Sequence, residues 1–188
     1  MISTKVADVI LSLVFSCWLI STQVVWAWGP STTVTFTSVA TASGLDFEHT
    51  DGRSGRRLFN EFLGSGGGFF DYDNDNDLDI YLVNACPQLS SKPGRLPHNT
   101  LYRNNGDGTF TDVTSSAGVG DTGYGVGCAV GDYDNDGHVD LYVTNFGSNV
   151  LYHNNGNGTF SDVSLQAGVA NAQWGTSCAF ADLDQDGF

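Results

Sequence analysis

Basic side chains are scarce in this chain of 188 residues: 7 Lys and Arg stand against 21 Asp and Glu, for a formal net charge of −14. That balance argues against a nucleic-acid partner, which needs Lys and Arg to meet phosphates. It argues equally against docking on anionic lipid. Glutamate is nearly missing as well: 19 of the acids are Asp, and only Glu48 and Glu61 are Glu. Solvated helical surfaces mix Glu with Lys, so this acid does not belong to helices. After Arg103 there is no Lys or Arg at all, and the final 85 residues carry 11 Asp with nothing basic to offset them. A cation other than a side chain is expected among them. Proline is reduced to 4 residues, and no segment after Trp28 sustains a helical period. What is plentiful is glycine, at 24 residues, together with 40% hydrophobic residues. That apolar share suffices for a packed core and excludes wholesale disorder. The length fits one domain, or part of a larger repetitive one.

The N-terminus reads as a targeting segment. Lys5 precedes an uncharged, largely apolar stretch over residues 9–28, and Val25-Trp26-Ala27 suits a signal peptidase. Residues 1–27 are therefore expected to be a secretory signal peptide, cut after Ala27. An uncleaved anchor is the alternative, since the stretch is just long enough to span a bilayer. Either version delivers residues 28–188 across a membrane. Cys17 would leave with the signal, and three cysteines remain: Cys86, Cys128 and Cys178. An odd number makes a poor disulfide framework. Cys128 and Cys178 hold matching places in a repeat, too far apart for a disulfide, and are expected as buried thiols.

The repeat can be counted. Asp71-Tyr-Asp-Asn-Asp75 returns as Asp132-Tyr-Asp-Asn-Asp136, an offset of 61. Leu101-Tyr-Arg-Asn-Asn-Gly-Asp-Gly-Thr-Phe110 returns as Leu151-Tyr-His-Asn-Asn-Gly-Asn-Gly-Thr-Phe160, an offset of 50. The difference is an insertion after Asn84 that holds Cys86, Pro87, Pro93 and Pro97. Asp182-Leu-Asp-Gln-Asp186 opens a third copy, and residues 35–45 foreshadow the Thr-Phe segment. Each unit reads as four short strands: residues 140–145, 150–153, 159–163 and 175–180 in the second copy. Asn-Gly hairpin turns lie between the second and third strands of each unit. Gly64-Ser-Gly-Gly-Gly68 takes the fourth-strand place in the first copy, where glycine lets backbones crowd. Four strands per unit of about 50 residues is the size of a β-propeller blade. The expected fold is all-β, a partial β-propeller preceded by a signal peptide.

The Asp loops carry the chemistry. The pattern is Asp-x-Asp-x-Asp-Gly-x-x-Asp, supplied by Asp71, Asp73, Asp75 and Asp79 in the first loop and by Asp132, Asp134, Asp136 and Asp140 in the second. Alternate carboxylates on a curled loop converge and repel unless a cation joins them. A hard cation of calcium size takes six to eight oxygens, so Ca²⁺ is expected. Gly137 suits the sharp bend at the sixth position, and Asn76 is the next-best residue there. Asp77 and His138, at the seventh position, are expected to offer backbone carbonyls. Asp182, Asp184 and Asp186 begin the third loop, whose ninth position would fall beyond Phe188. This is not an EF-hand: Leu82 and Val143 stand where the closing Glu would be, and strands flank the loop.

Other candidates are weaker. Gly175-Thr-Ser-Cys-Ala179 misses a nucleophile elbow at its last position. His49, His98, His138 and His153 form no metal-binding spacing and are expected in solvated or turn roles. Asn157-Gly-Thr159 is a glycosylation sequon in a hairpin turn. Tyr142, Tyr152, Phe160 and Trp174 are expected in the blade core. No nucleophile–base pair or cofactor motif appears, so no catalysis is expected.

These residues resemble the FG-GAP/VCBS repeats of integrin-α-like propellers. More narrowly, they are similar to the secreted cartilage acidic protein family, whose members often end in an ASPIC/UnbV domain. The resemblance rests on Gly44-Leu-Asp-Phe-Glu-His49, the Asp loops, Leu101 to Phe110 and Trp174-Gly-Thr-Ser-Cys-Ala-Phe180. It implies a seven-bladed parent with Ca²⁺ loops between strands and a role in extracellular binding or adhesion. Asn76 departs from the usual glycine, and no ASPIC/UnbV segment is present. The expected protein is a secreted, extracellular (or periplasmic or cell-surface) calcium-binding module for an extracellular protein or glycan partner. After signal cleavage it should have no membrane contact, and the remaining blades should lie outside this chain. Two alternatives stand beside that reading: the non-catalytic part of a larger secreted hydrolase or lyase, and a structural spacer.

Overall fold

The computed structural model describes residues 34–62, 66–86 and 96–184. The expected signal peptide, Pro87, Pro93 and Asp186 lie outside the described residues. Contacts divide the chain into two units, Met1–Ser38 and Val39–Phe188. In the first unit residues 34–38 carry no helix or strand. No described helix is long and apolar enough to cross a membrane.

The second unit holds two four-stranded antiparallel sheets of identical order. The first is built from β1 (Gly67–Phe70), β2 (Asp79–Leu82), β3 (Thr100–Asn104) and β4 (Phe110–Asp112). The second is built from β5 (Gly125–Gly131), β6 (Asp140–Asn145), β7 (Val150–Asn154) and β8 (Phe160–Asp162). The registers repeat. Tyr81 faces Leu101 as Tyr142 faces Leu151, and Tyr102 faces Asp112 as Tyr152 faces Asp162. The all-β blade architecture expected from the repeat is therefore present.

The boundaries of the blades differ from the expected ones. The glycine strand ahead of each Asp loop pairs with the strand behind that loop: Phe70 with Asp79, and Gly131 with Asp140. It is the first strand of its own blade, not the fourth of the preceding one. Residues 175–180 accordingly form no strand, and Trp174 makes only an isolated bridge to Phe146. Pairing across the short loop closes a local connection of eight residues, 71–78 or 132–139, whereas the alternative needs a long connection.

Each blade also carries a turn that is too short to show a helical period. Helix α1 (Thr114–Ala117) follows β4 and ends at Gly118, whose φ of 79° lets its N–H reach Thr114 O at 3.0 Å. Residues 39–45 form a similar turn closed by Gly44. Its Ser43 carbonyl accepts the Phe110 N–H at 2.8 Å. The foreshadowed repeat thus survives as a turn, while residues 35–38 form no strand.

The core lies where one sheet packs on the other. Tyr81, Val83, Leu101, Val119, Leu141 and Val143 are fully buried. Each such side chain contributes roughly 1.5–3 kcal/mol relative to exposure. Tyr72 stacks on Phe160 with ring centroids 6.2 Å apart. The glycine run allows close approach of strands: a Cβ on Gly66 would stand 2.8 Å from Gly127 Cα. Tyr152 and Phe160 are buried as expected, whereas Tyr142 and Trp174 are half-buried. The three described cysteines, Cys86, Cys128 and Cys178, are free thiols, with Cys128 and Cys178 half-buried rather than sealed.

Candidate metal centre

The two complete Asp loops sit between the first and second strands of each blade. Their curl is written by the first carboxylate. Asp71 accepts the N–H of Asp75 at 3.1 Å and of Asn76 at 2.8 Å, and Asp132 accepts those of Asp136 and Gly137 at 3.1 and 2.9 Å. The sixth position is left-handed in both, with φ of 70° at Asn76 and 87° at Gly137. Asparagine thus holds the bend that glycine makes in the second loop.

The ninth carboxylate closes each loop. Asp79 and Asp140 are fully buried. Asp79 accepts the N–H of Tyr72 at 3.0 Å and of Asn104 at 2.8 Å; Asp140 accepts those of Tyr133 at 3.0 Å and Asn154 at 2.7 Å. One side chain thereby ties the loop's start to the third strand. Burial is costly for a carboxylate. It pushes Asp79 from 3.8 to about 6, with the two backbone donors opposing. Asp140 is also raised by burial. Asp73 is raised by burial and by the charges of Asp75 and Asp71, with Arg103 opposing.

Three groups of side chains converge closely enough for one ion, with donor atoms within 4.8 Å of one another. They are Asp71 with Asp73 and Asp79, Asp132 with Asp134 and Asp136, and Asp134 with Asp140 and His153. Asp75 lends its Oδ1 to the Asp77 N–H at 2.9 Å, as Asp136 does to His138 at 2.9 Å. The side chains at the seventh position turn toward the neighbouring hairpins. Asp77 Oδ2 would lie 2.9 Å from a Cβ on Gly106, and His138 packs against Gly156. Asp182 and Asp184 are exposed, and Asp186 lies outside the described residues.

His153 is the residue that sequence spacing missed. It lies in β7, in the place Arg103 takes in β3: His153 faces Ser161 as Arg103 faces Thr111. Its Nδ1 is 3.3 Å from Asp134 Oδ2 and 3.4 Å from Asp140 Oδ1. The available signal was its position next to Asn154, whose N–H closes the ninth carboxylate. The loops of the two blades also touch: Asn74 donates to Gly137 O at 3.3 Å, and Asn154 donates to Tyr72 O at 2.8 Å.

The residues fit a bound cation. The first loop gathers Asp71, Asp73 and Asp79 around one point, the second forms two groups that share Asp134, and a fully buried ninth carboxylate stands in each with no Lys or Arg in contact. The only ion-pair distances at the two complete loops, among the described residues, run to His153. An all-oxygen group in a curled loop suits a hard divalent ion.

The model of the FG-GAP-like repeat matches residues 71–143 and 132–188, together more than half of the chain. A segment of 49 residues is 47% identical to cartilage acidic protein 1 of Xenopus tropicalis, which covers 26% of this chain and 8% of that protein. The same identity and length relate it to cartilage acidic protein 1 of Homo sapiens, covering 7% of that protein. The chain thus matches less than a tenth of the length of these relatives.

Proposed function

Since the chain belongs to the FG-GAP-like repeat family, we propose that it is a calcium-binding β-propeller module that works outside the cell as a binding or scaffold element, without catalysis. The observation that carries the calcium reading is the ninth carboxylate. Asp79 and Asp140 are buried, charged by chemistry and aimed at the same loops as Asp73 and Asp134. Asp71, Asp73 and Asp79 would hold the first ion, with Asp132, Asp134, Asp136 and Asp140 around the second. The ion would supply positive charge where no Lys or Arg touches the carboxylates. Asp75, Asp77 and His138 shape the loops through backbone contacts, and Asp182 and Asp184 begin a third loop.

The role of the protein itself is to hold the loop edges of adjacent blades together. The Asn74 and Asn154 bonds already join them, so filled loops would present one rigid rim. Likeness to cartilage acidic protein 1 supports an extracellular setting. Calcium calorimetry on the metal-stripped chain tests the reading. Two well-occupied sites are expected, and Asp73→Ala should remove one and leave the other. No heat of binding at millimolar calcium would defeat the assignment.

A further inference from the structure

The two loops differ in one donor. Arg103 and His153 hold the same place in their blades, yet they behave differently. Arg103 reaches its own hairpin, with Nη2 3.5 Å from Asn105 Oδ1. His153 turns into the acid cluster. Its Nδ1 is shielded from solvent and makes no hydrogen bond, although two carboxylate oxygens lie 3.3 and 3.4 Å away. A buried ring nitrogen without a partner costs free energy. Nδ1 is nearly equidistant from Asp134 and Asp140 and aligned with neither. One ion among the three atoms would satisfy the nitrogen and both oxygens together.

We infer that His153 Nδ1, with Asp134 and Asp140, makes the second loop a mixed nitrogen–oxygen centre for a divalent first-row transition ion, unlike the first. The inference rests on the metal-loop reading and deepens it for one site. Neighbouring donors on a four-coordinate ion with bonds of about 2.0–2.1 Å stand roughly 3.3 Å apart, which is the spacing found here. The distances admit one ion, and the nitrogen selects its class. Imidazole favours zinc, cobalt or nickel, whereas carboxylate and carbonyl oxygen alone favour calcium and magnesium. The ring is steadied from its side by Tyr133, edge-on with centroids 6.1 Å apart, and its Nε2 faces Asp136 at 3.9 Å. Asp132 and Asp136 remain beside Asp134 for an oxygen-only ion, so calcium and a transition ion compete for one loop.

The test uses the metal-stripped chain and Co²⁺ as an optical probe, with Zn²⁺ and Ca²⁺ as competitors. One equivalent of Co²⁺ should bind, with an imidazole N–H resonance shifted paramagnetically, and Zn²⁺ should displace it. His153→Gln should weaken Co²⁺ at least tenfold and erase the shifted resonance. His153→Arg, which copies the residue the first blade accommodates, should do the same. Calcium binding at the first loop should persist in both variants, which shows that they fold. Unchanged Co²⁺ affinity in both variants, or bound Co²⁺ without an imidazole resonance, would overturn the inference while leaving the calcium reading intact. Binding of neither Co²⁺ nor Ca²⁺ would overturn both.

Discussion

The buried carboxylate of Asp79 gives the metal-free protein a pH dependence of unusual sign. Burial holds its pKa at about 6 against an ordinary 3.8. Between those values the folded chain keeps a proton that the unfolded chain has lost. Stability falls with rising pH wherever the folded state binds more protons. The contribution is therefore complete below the unfolded value and lost as pH climbs through the folded one. A rise from 3.8 to about 6 corresponds to about 3 kcal/mol, a large share of the roughly 5–15 kcal/mol that holds a domain together. Asp73 and Asp140 shift in the same direction and add to the slope. Glu61 and Asp107 are lowered by hydrogen bonds to Ser54 and Thr109. Their contributions are lost only below the ordinary carboxylate range, so they do not tilt the curve near neutrality. Asp79→Asn removes the titrating group. Its NH₂ would face one of the two backbone donors, which lowers the whole curve by about 1–3 kcal/mol. Urea denaturation of the chelator-treated chain, from about pH 4.5 to about pH 7, reads the effect. The wild-type midpoint should fall across that range, and Asp79→Asn should flatten the slope. Saturating calcium at neutral pH should restore the wild-type midpoint. A metal-free midpoint that climbs with pH, or an unchanged slope in Asp79→Asn, would refute the reasoning.

The repeat also supplies matched pairs. The Tyr81 hydroxyl donates to Val119 O at 2.9 Å in a fully buried setting, whereas Tyr142 donates to Val169 O at 3.2 Å where both residues are half-buried. Tyr81→Phe should cost about 1–3 kcal/mol because a buried carbonyl loses its donor; an unchanged urea midpoint would show that this bond does not hold the turn at Val119. Gly66→Ala places a Cβ 2.8 Å from Gly127 Cα, where only backbone could yield. It should cost about 1–3 kcal/mol, and an unchanged melting temperature would mean that the two strands are not held at that distance.

Legibility in the sequence followed the size of the signal. Two copies of an alternating segment ending in Asp and Asn placed β2 and β6 at once, because a repeat at fixed offset must fold alike. The Asn-Gly turns placed β3 with β4 and β7 with β8. The assignment of the glycine strand was not legible. Gly66, Gly67 and Gly68 carry no side chains whose pattern could say which neighbour they pair with, and the answer lies in closure of the short Asp loop. Helix α1 is a single turn, shorter than any period can register. The convergence of Asp71 with Asp73 and Asp79, and of Asp132 with Asp134 and Asp136, was legible from spacing, since they are neighbours in sequence, whereas Asp75 does not join its group. His153 could not, because it reaches Asp134 and Asp140 from another strand. Its chemistry depends on register, which the sequence pattern alone did not connect to the loop.

The division of labour within a loop bears on what an ion can do there. Asp71 and Asp132 hold the curl through backbone N–H groups, and Asp79 and Asp140 hold the start of the loop to the third strand. All of these bonds join the chain's own carboxylates and backbone N–H groups. What the chain does not supply at the first loop is charge: Asp71, Asp73 and Asp79 meet there with no basic side chain in contact. Binding an ion thus acts on repulsion and desolvation more than on shape. Calcium dependence should then appear as a graded loss of stability at neutral pH, with strand register kept, rather than as the all-or-none collapse of a zinc finger. The dependence comes from carboxylates held close in one loop, and acid should relieve it in the same way that metal does.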